Sequence, residues 1–348
     1  MNILILIGGL AISLAGCRAS PPMERGTGDP AVARATPAPD GEDPPALPPT
    51  AARPGDLEVI ALRTGTAFEF KSLAIDAAQR RAYLGSWRDK AIVAVDLEGG
   101  GPARVIESRY NGKLNGMGVH LRGARLYAVM NETDDTPGAT PLSVLIVIDV
   151  ETERVIQSHE LRATGGRHHF NHVVVDARGT AYISDTLKGR IYRVDTTDPH
   201  AKLELVIEHA DLSWVHGIDL VDGESTLACT SYRGGIRFLS IADRAFLPYR
   251  DLATAGADGL EYHAGSLYGV GGNAITRYVL NATEDAIVRT EVVLRDHPLF
   301  NDPRALQVQG GWLYCLANLE LEPVRFRRSG RMARDEPLTD SHLVKYRL

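Results

Sequence analysis

From about residue 56 onward, short runs of Val, Ile, Leu and Tyr alternate with turns built from Gly, Asp, Asn and Arg. No long stretch carries a 3.6-residue apolar period, so the pattern predicts strands rather than helices. The runs repeat. Six similar openings occur: KSLAID from Lys71, NGMGVH from Asn115, NHVVVD from Asn171, HGIDLV from His216, DGLEYH from Asp258 and RALQVQ from Arg304. They recur about every 45 residues, with one longer interval filled by the loop NETDDTPGATP. A second run follows each opening (AYLGSW, LYAVMN, AYISDT, LACTSY, LYGVGG, LYCLAN) and then a third (AIVAVD, LIVIDV, RIYRVD, GIRFLS, AITRYV, HLVKYR). Fourth runs are ARVIES, ERVIQS, LELVIEH, FLPYRD and TEVVLRD, and the sixth repeat has none.

Four-stranded units of this length are the mark of a β-propeller. The leftover run LEVIALR at residues 57–63 supplies the missing outer strand of the last unit and closes the ring. Closure removes the exposed edges an open sheet would carry. The expected fold is all-β, a six-bladed β-propeller over residues 56–348. Two separate β-sandwiches are the alternative, and the even spacing favours one ring.

The chain before residue 56 differs in kind. MNILILIGGLAISLAGC is an apolar stretch too short to span a membrane and ends in small residues and a cysteine. It reads as a secretory leader over residues 1–16, and Leu14-Ala15-Gly16-Cys17 resembles a bacterial lipobox. Cys17 is then the lipidation site and the membrane a partner, with the alternative a cleaved leader and an incidental cysteine. Several acyl chains on one residue hold a membrane far better than one. Residues 17–55, rich in Pro, Ala, Gly and Asp, bury too little to order themselves and read as a tether. The expected location is exported and lipid-anchored, facing the periplasm.

The remaining cysteines, Cys229 and Cys315, lie within apolar runs and read as buried free thiols. A net charge of −6 with scattered Arg gives no basic face, so nucleic acid is not the expected partner.

In a propeller the first strand of each blade lines the central channel. The openings therefore bring Lys71, Asn115, Asn171, His216, Asp258 and Arg304 to one mouth, with Glu69, His168, His169, His172, Asn301 and Asp302 nearby. Such a set could hold a metal or a substrate, or merely cap turns. Calcium accepts carboxylate and amide oxygens, whereas a histidine member favours zinc.

FNHVVVDARGTAYISDTLKGRIYRVD, HGIDLVDGESTLACTSYRGGIRFLSI and ADGLEYHAGSLYGVGGNAITRYVL resemble blades of the gluconolactonase, regucalcin and luciferin-regenerating-enzyme family. They also resemble strictosidine-synthase-like and NHL-repeat propellers. The resemblance implies one divalent cation and hydrolysis of a lactone or ester. The family's glutamate of the first blade falls on Lys71, with Glu69 two residues away. Its third-blade asparagine is matched by Asn171, and the arginine two residues earlier is replaced by His169. Its fourth-blade asparagine is replaced by His216, and its fifth-blade aspartate is matched by Asp258.

By this resemblance Asn171, His216 and Asp258 hold a Ca2+ or Zn2+ ion, and Asp258 or His216 takes the proton of an activated water. Lys71, Asn115, His169 and Arg304 become the substrate contacts. No GxSxG element accompanies them, so covalent serine hydrolysis is not expected. The competing expectation is a non-catalytic propeller that binds a small ligand or a protein at its mouth.

Overall fold

Turns in this chain are set by aspartates at strand ends. The Asp76 carboxylate accepts from Gln79 N at 2.9 Å, and that of Asp176 accepts from Arg178 N and Thr180 N at 2.9 and 2.8 Å. Asp149 and Asp195 do the same for Thr152 and Thr197. Each carboxylate folds the chain back within two to four residues and so starts a hairpin. Between these turns the apolar runs have no option but to pair.

The computed structural model describes residues 56–62, 68–98, 102–133, 140–163, 166–248, 256–317 and 341–348. The leader, Cys17 and the Pro/Ala-rich segment lie outside the described residues. Strand β1 (Leu57–Leu62) comes first. The first blade is β2 (Phe70–Asp76), β3 (Arg81–Ser86), β4 (Ala91–Asp96) and β5 (Arg104–Val105). The second is β6 (Asn115–Arg122), β7 (Arg125–Asn131), β8 (Leu142–Asp149) and β9 (Arg154–Arg162). The third is β10 (Phe170–Val175), β11 (Thr180–Asp185), β12 (Arg190–Asp195) and β13 (Glu204–Glu208). The fourth is β14 (Val215–Val221), β15 (Thr226–Ser231), β16 (Gly235–Ser240) and β17 (Ala245–Phe246). The fifth is β18 (Gly259–His263), β19 (Ser266–Gly271), β20 (Ala274–Leu280) and β21 (Ile287–Arg295). The last contains β22 (Ala305–Gln309), β23 (Trp312–Leu316) and β24 (Ser341–Arg347).

β1 completes that last sheet, pairing antiparallel with β24 from Leu57↔Tyr346 to Leu62↔Ser341. The inner strands pack in cyclic order, β2 on β6, β6 on β10, and so on to β22 back on β2. This is a six-bladed propeller and not a pair of sandwiches. Two expected outer strands pair over only two residues among the described residues. Among the described residues of FLPYRD, Phe246 pairs in the ladder together with the preceding Ala245, Leu247 N adds one bond to Phe238 O, and Pro248 offers no N–H to extend it. ARVIES pairs only through Arg104–Val105, with Ile106 N adding one bond to Ile92 O.

The core lies between blades. Tyr83 and Ile92 of the first blade meet Leu126, Ile146 and Ile148 of the second, and five comparable clusters fill the other junctions. Middle strands are thus covered on both faces, which is why LSVLIVID shows little alternation. Cys229 and Cys315 are buried free thiols in these junctions.

Around the channel, inner-strand side chains also latch neighbouring blades. Asp219 on β14 accepts from Tyr262 N on β18, Glu261 on β18 accepts from Val308 N on β22, and Gln307 on β22 accepts from Ile75 N on β2. Asp219 and Glu261 are half-buried on the inner strands β14 and β18. Burial pushes the Asp219 carboxyl up to about 7 despite amide donation from Tyr262 and Leu220. Burial and the nearby Asp219 push Glu261 well above its ordinary value.

Two outcomes follow from this architecture. A chain beginning at Asp56 should melt with the full-length protein, whereas one beginning at Phe68 loses β1 and the fully buried Leu62. The second should be less stable by about 3–5 kcal/mol, from lost ladder bonds and apolar burial, read by urea unfolding. Asp219 keeps its proton in the folded state where the unfolded chain has released it, so its contribution is lost as pH rises from about 4 toward 7. Asp219→Asn copies the protonated form. It should match wild type near pH 4 and exceed it by a margin that grows up to neutral pH in thermal melts.

Candidate functional site

Four inner strands carry a register shift where they open: between Phe70 and Ser72, Gly116 and Val119, Phe170 and Val173, and Val215 and Ile218. A bulge of this kind re-aims the extra side chain out of the ladder. The residues so released are Lys71, Met117, Asn171 and His216, each the first after the last regular pair. Asp258 and Arg304 stand immediately before β18 and β22 and complete the circle.

Lys71, His169, Asn171, His216, Asp258 and Arg304 line one cavity of about 250 Å³ at the mouth. Asn115 does not. It sits two residues before the second-blade bulge, pairs opposite Asn131 and is buried. Its Nδ2 donates to Trp87 O at 2.6 Å and its Oδ1 accepts from Thr133 at 3.0 Å, so it braces the Trp87 turn. Met117 takes its expected place on the cavity wall.

Glu69 also stands off the wall and pairs with Lys71 Nζ at 2.8 Å. Asp185 fixes the histidine segment: its Oδ2 lies 2.6 Å from His168 Nδ1 and its Oδ1 accepts from His169 N at 2.9 Å. His168 is therefore structural and His169 is presented to the cavity, its ring 5.6 Å from that of Trp87. Burial pushes His169 down to about 4, with His216 and Arg167 adding to the effect, so it is neutral at neutral pH.

Asp258 is the electrostatic centre. His216 Nδ1 lies 3.1 Å from its Oδ1, Tyr232 OH donates to the same oxygen, and Arg304 stands 3.8 Å away. Burial works against the charge, but the His216 and Tyr232 hydrogen bonds and the Arg304 guanidinium hold this carboxyl below its ordinary value. Burial likewise opposes the charge on Arg304, and Asp302 and Asp258 outweigh it. Burial and the bond to Asp258 raise the Tyr232 hydroxyl.

Asn171 Nδ2 donates to Thr186 Oγ1 at 2.9 Å and stands 3.2 Å from His216 Nδ1. Two neighbours thus compete for one ring nitrogen. A charged acceptor makes a hydrogen bond roughly twice as strong as a neutral one, so we assign the proton to Nδ1, pointing at Asp258. The other nitrogen, Nε2, is then a bare acceptor, and it is buried with no protein partner. That combination is the chemistry of a general base held in one tautomer by a carboxylate.

The same groups do not suit a divalent cation. Among the described residues no three His, Cys, Asp or Glu side chains are disposed to hold one. The carboxylate a cation would need is already occupied by His216 and Tyr232, and Lys71 and Arg304 place positive charge on the same wall.

The positions the sequence reading passed over are Trp87, Met117, Thr186 and Tyr232. Trp87, Thr186 and Tyr232 share a signal, because each is the final residue of a second run (AYLGSW, AYISDT, LACTSY). A second strand runs antiparallel to the inner one, so its last residue returns to the mouth.

No family model and no curated protein matches the chain. Solved structures do. The PQQ-bound aldose sugar dehydrogenase of Streptomyces coelicolor is 15% identical, with a TM-score of 0.52, over 85% of this chain and 99% of that one. A luciferin-regenerating enzyme is 10% identical, with a TM-score of 0.55, over 83% and 94%. The Cps50 (Swd1) β-propeller domain of Myceliophteria thermophila is 12% identical, with a TM-score of 0.52, over 74% and 82%. These likenesses establish the propeller class.

Asp258→Asn keeps an acceptor oxygen but removes the negative charge that His216, Tyr232 and Arg304 all face. It should cost about 1–3 kcal/mol at pH 7 by urea unfolding. Because the folded-state value is lowered, that contribution is present above the unfolded value near 3.9 and lost below it. The gap between variant and wild type should therefore close in strong acid.

Proposed function

We propose that the mouth is a hydrolytic site for a small lactone or related ester, with His216 as general base and no divalent cation. The observation that supports this is the buried, unpartnered Nε2 of His216, opposite an Nδ1 held by Asp258. Nε2 has no exposed surface in this conformation, so substrate entry must part the mouth to admit a water there. That water gives its proton to the ring as its oxygen attacks the ester carbonyl carbon. Asp258 stabilises the imidazolium that forms. Arg304 and Lys71 supply the positive charge toward which the carbonyl oxygen turns as it becomes negative. The imidazolium then returns the proton to the departing ring oxygen as the C–O bond breaks, and a hydroxy acid leaves. His169, uncharged, and Asn171 orient the substrate's hydroxyls.

The likeness to enzymes such as luciferin-regenerating enzyme supports the propeller frame alone. Ligand binding without turnover is the second reading. The placement of Lys71 and Arg304 beside the uncharged His169 favours it, since that wall would also hold the carboxylate of a hydroxy acid. The leader and Cys17 support an exported protein, lipid-anchored and facing the periplasm, so that either activity would act outside the cytoplasm.

The test is hydrolysis of D-glucono-1,5-lactone, dihydrocoumarin and p-nitrophenyl acetate by the full-length protein, with and without EDTA. Turnover of at least one is expected, unchanged by the chelator and reduced about 10²- to 10⁴-fold by His216→Asn. Sensitivity to EDTA would restore a metal-assisted route. No turnover of any of the three, with binding of gluconate retained, would establish the second reading.

A further inference from the structure

We propose that a second cavity on the mouth face, between the third and fourth blades, is a subsite for a saccharide ring. It measures about 390 Å³ and is bounded by Thr186–Gly189, Glu208–Ala210, Ser213 and Trp214. That volume falls within the roughly 300–1,000 Å³ of small-ligand sites. Strand direction places it. β11 ends opposite the start of β10, and Glu208 pairs with Arg190 at the same end, so the turns after β11 and β13 both open on the mouth face. Thr186 belongs to both cavities' surroundings: it borders this one, and its Oγ1 accepts from Asn171, which lines the mouth.

Trp214 is the reason for assigning a ligand. Its side chain is large, 48% exposed and held at a φ of 60°. A bulky residue in the left-handed region costs of order 1–3 kcal/mol, and such strain persists where its surroundings over-determine it. Here the next residue, Val215, is fully buried in the register of β14, and Trp214 O accepts from Tyr232 N at 3.4 Å. The backbone that aims His216 into the mouth is thus the backbone that turns the indole out. Leu187 and Tyr232, also exposed, stand on the flanking turns.

The chemistry of the perimeter selects the ligand class. Beside the indole lie Lys188, Glu208, His209 and Ser213, groups of both signs and of donor and acceptor type. Glu208 is oriented by Arg190 at 2.8 Å, and His209 is fixed by Asp211 N on its Nδ1 and by the Phe246 ring at 5.1 Å. An apolar ligand would strip water from these polar groups without replacing it. An anion would meet Glu208 and a simple cation would meet Lys188. A sugar ring satisfies both halves, with its C–H face on the indole and its hydroxyls on the polar rim, because aromatic side chains offer area with a specific geometry. The inference does not depend on catalysis at the mouth.

The test is isothermal titration of the full-length protein with cellotriose, maltotriose and N,N′,N″-triacetylchitotriose, with tryptophan emission followed in parallel. Binding of at least one is expected. Trp214→Asn should weaken it at least tenfold while keeping the wild-type melting temperature or raising it, since Asn tolerates the left-handed conformation. Trp214→Phe should retain most of the affinity. His216→Asn should leave trisaccharide binding unchanged. Absence of binding by all three sugars, unchanged affinity in Trp214→Asn, or loss of binding in His216→Asn would each overturn the assignment.

Discussion

The structure rests on how closely neighbouring inner strands approach at the mouth. A side-chain carbon at Gly217 would lie 2.7 Å from Leu260 N and 2.8 Å from Asp258 O, and one at Gly259 would lie 2.7 Å from Arg304 O. No Cβ fits at such distances. At two mouth positions the following glycine therefore lets the next blade's mouth residue come near: His216 is followed by the glycine that admits Asp258, and Asp258 by the one that admits Arg304. The ion pair, the hydrogen bond and the cavity wall all depend on that spacing. Larger residues would push the blades apart and separate the base from its carboxylate.

Two carboxylate environments sit in one channel, and their difference divides its roles. Asp258 at the mouth is surrounded by donors and a guanidinium, so it stays ionised although buried. At Asp219 and Glu261, deeper in, burial outweighs the donated backbone amides, and at Asp219 also the Arg122 guanidinium, and holds both carboxyls toward the neutral form. The deep pair ties blades together, where a fixed charge would be costly. The mouth keeps its charge, where it can hold a histidine tautomer and stabilise an imidazolium. The rule is general: neighbours that differ in what they donate drive like acids to opposite states.

Strand connectivity also decides which side chains can act together. The turn into β14 turns Trp214 outward and His216 inward within three residues, so one segment faces both cavities. Thr186 links them further, since its Oγ1 accepts from Asn171 and donates to Val215 O at 2.6 Å. The rim and the mouth form one continuous surface built from the ends of second strands and the starts of inner ones.

Much of this was legible in the residues themselves. The repeat of apolar runs and aspartate turns carries the blade count, because each run can bury its faces only between neighbours. The unassigned LEVIALR and the missing sixth outer strand together specify ring closure, and the openings name Lys71, Asn171, His216, Asp258 and Arg304 as neighbours. Three things needed the folded chain. The second-blade bulge falls after Gly116, so Met117 faces the cavity and Asn115 turns into the wall; a bulge is a local shift in pairing that no run of letters marks. Trp87 and Tyr232 reach the mouth only through hairpin direction. Above all, the tautomer of His216 and its bare Nε2 depend on distances among Asp258, Asn171 and Tyr232, residues brought from three blades. Sequence determines which groups are available to pair, whereas the direction of a proton between them is settled by ångström-scale geometry that exists only once the ring has closed.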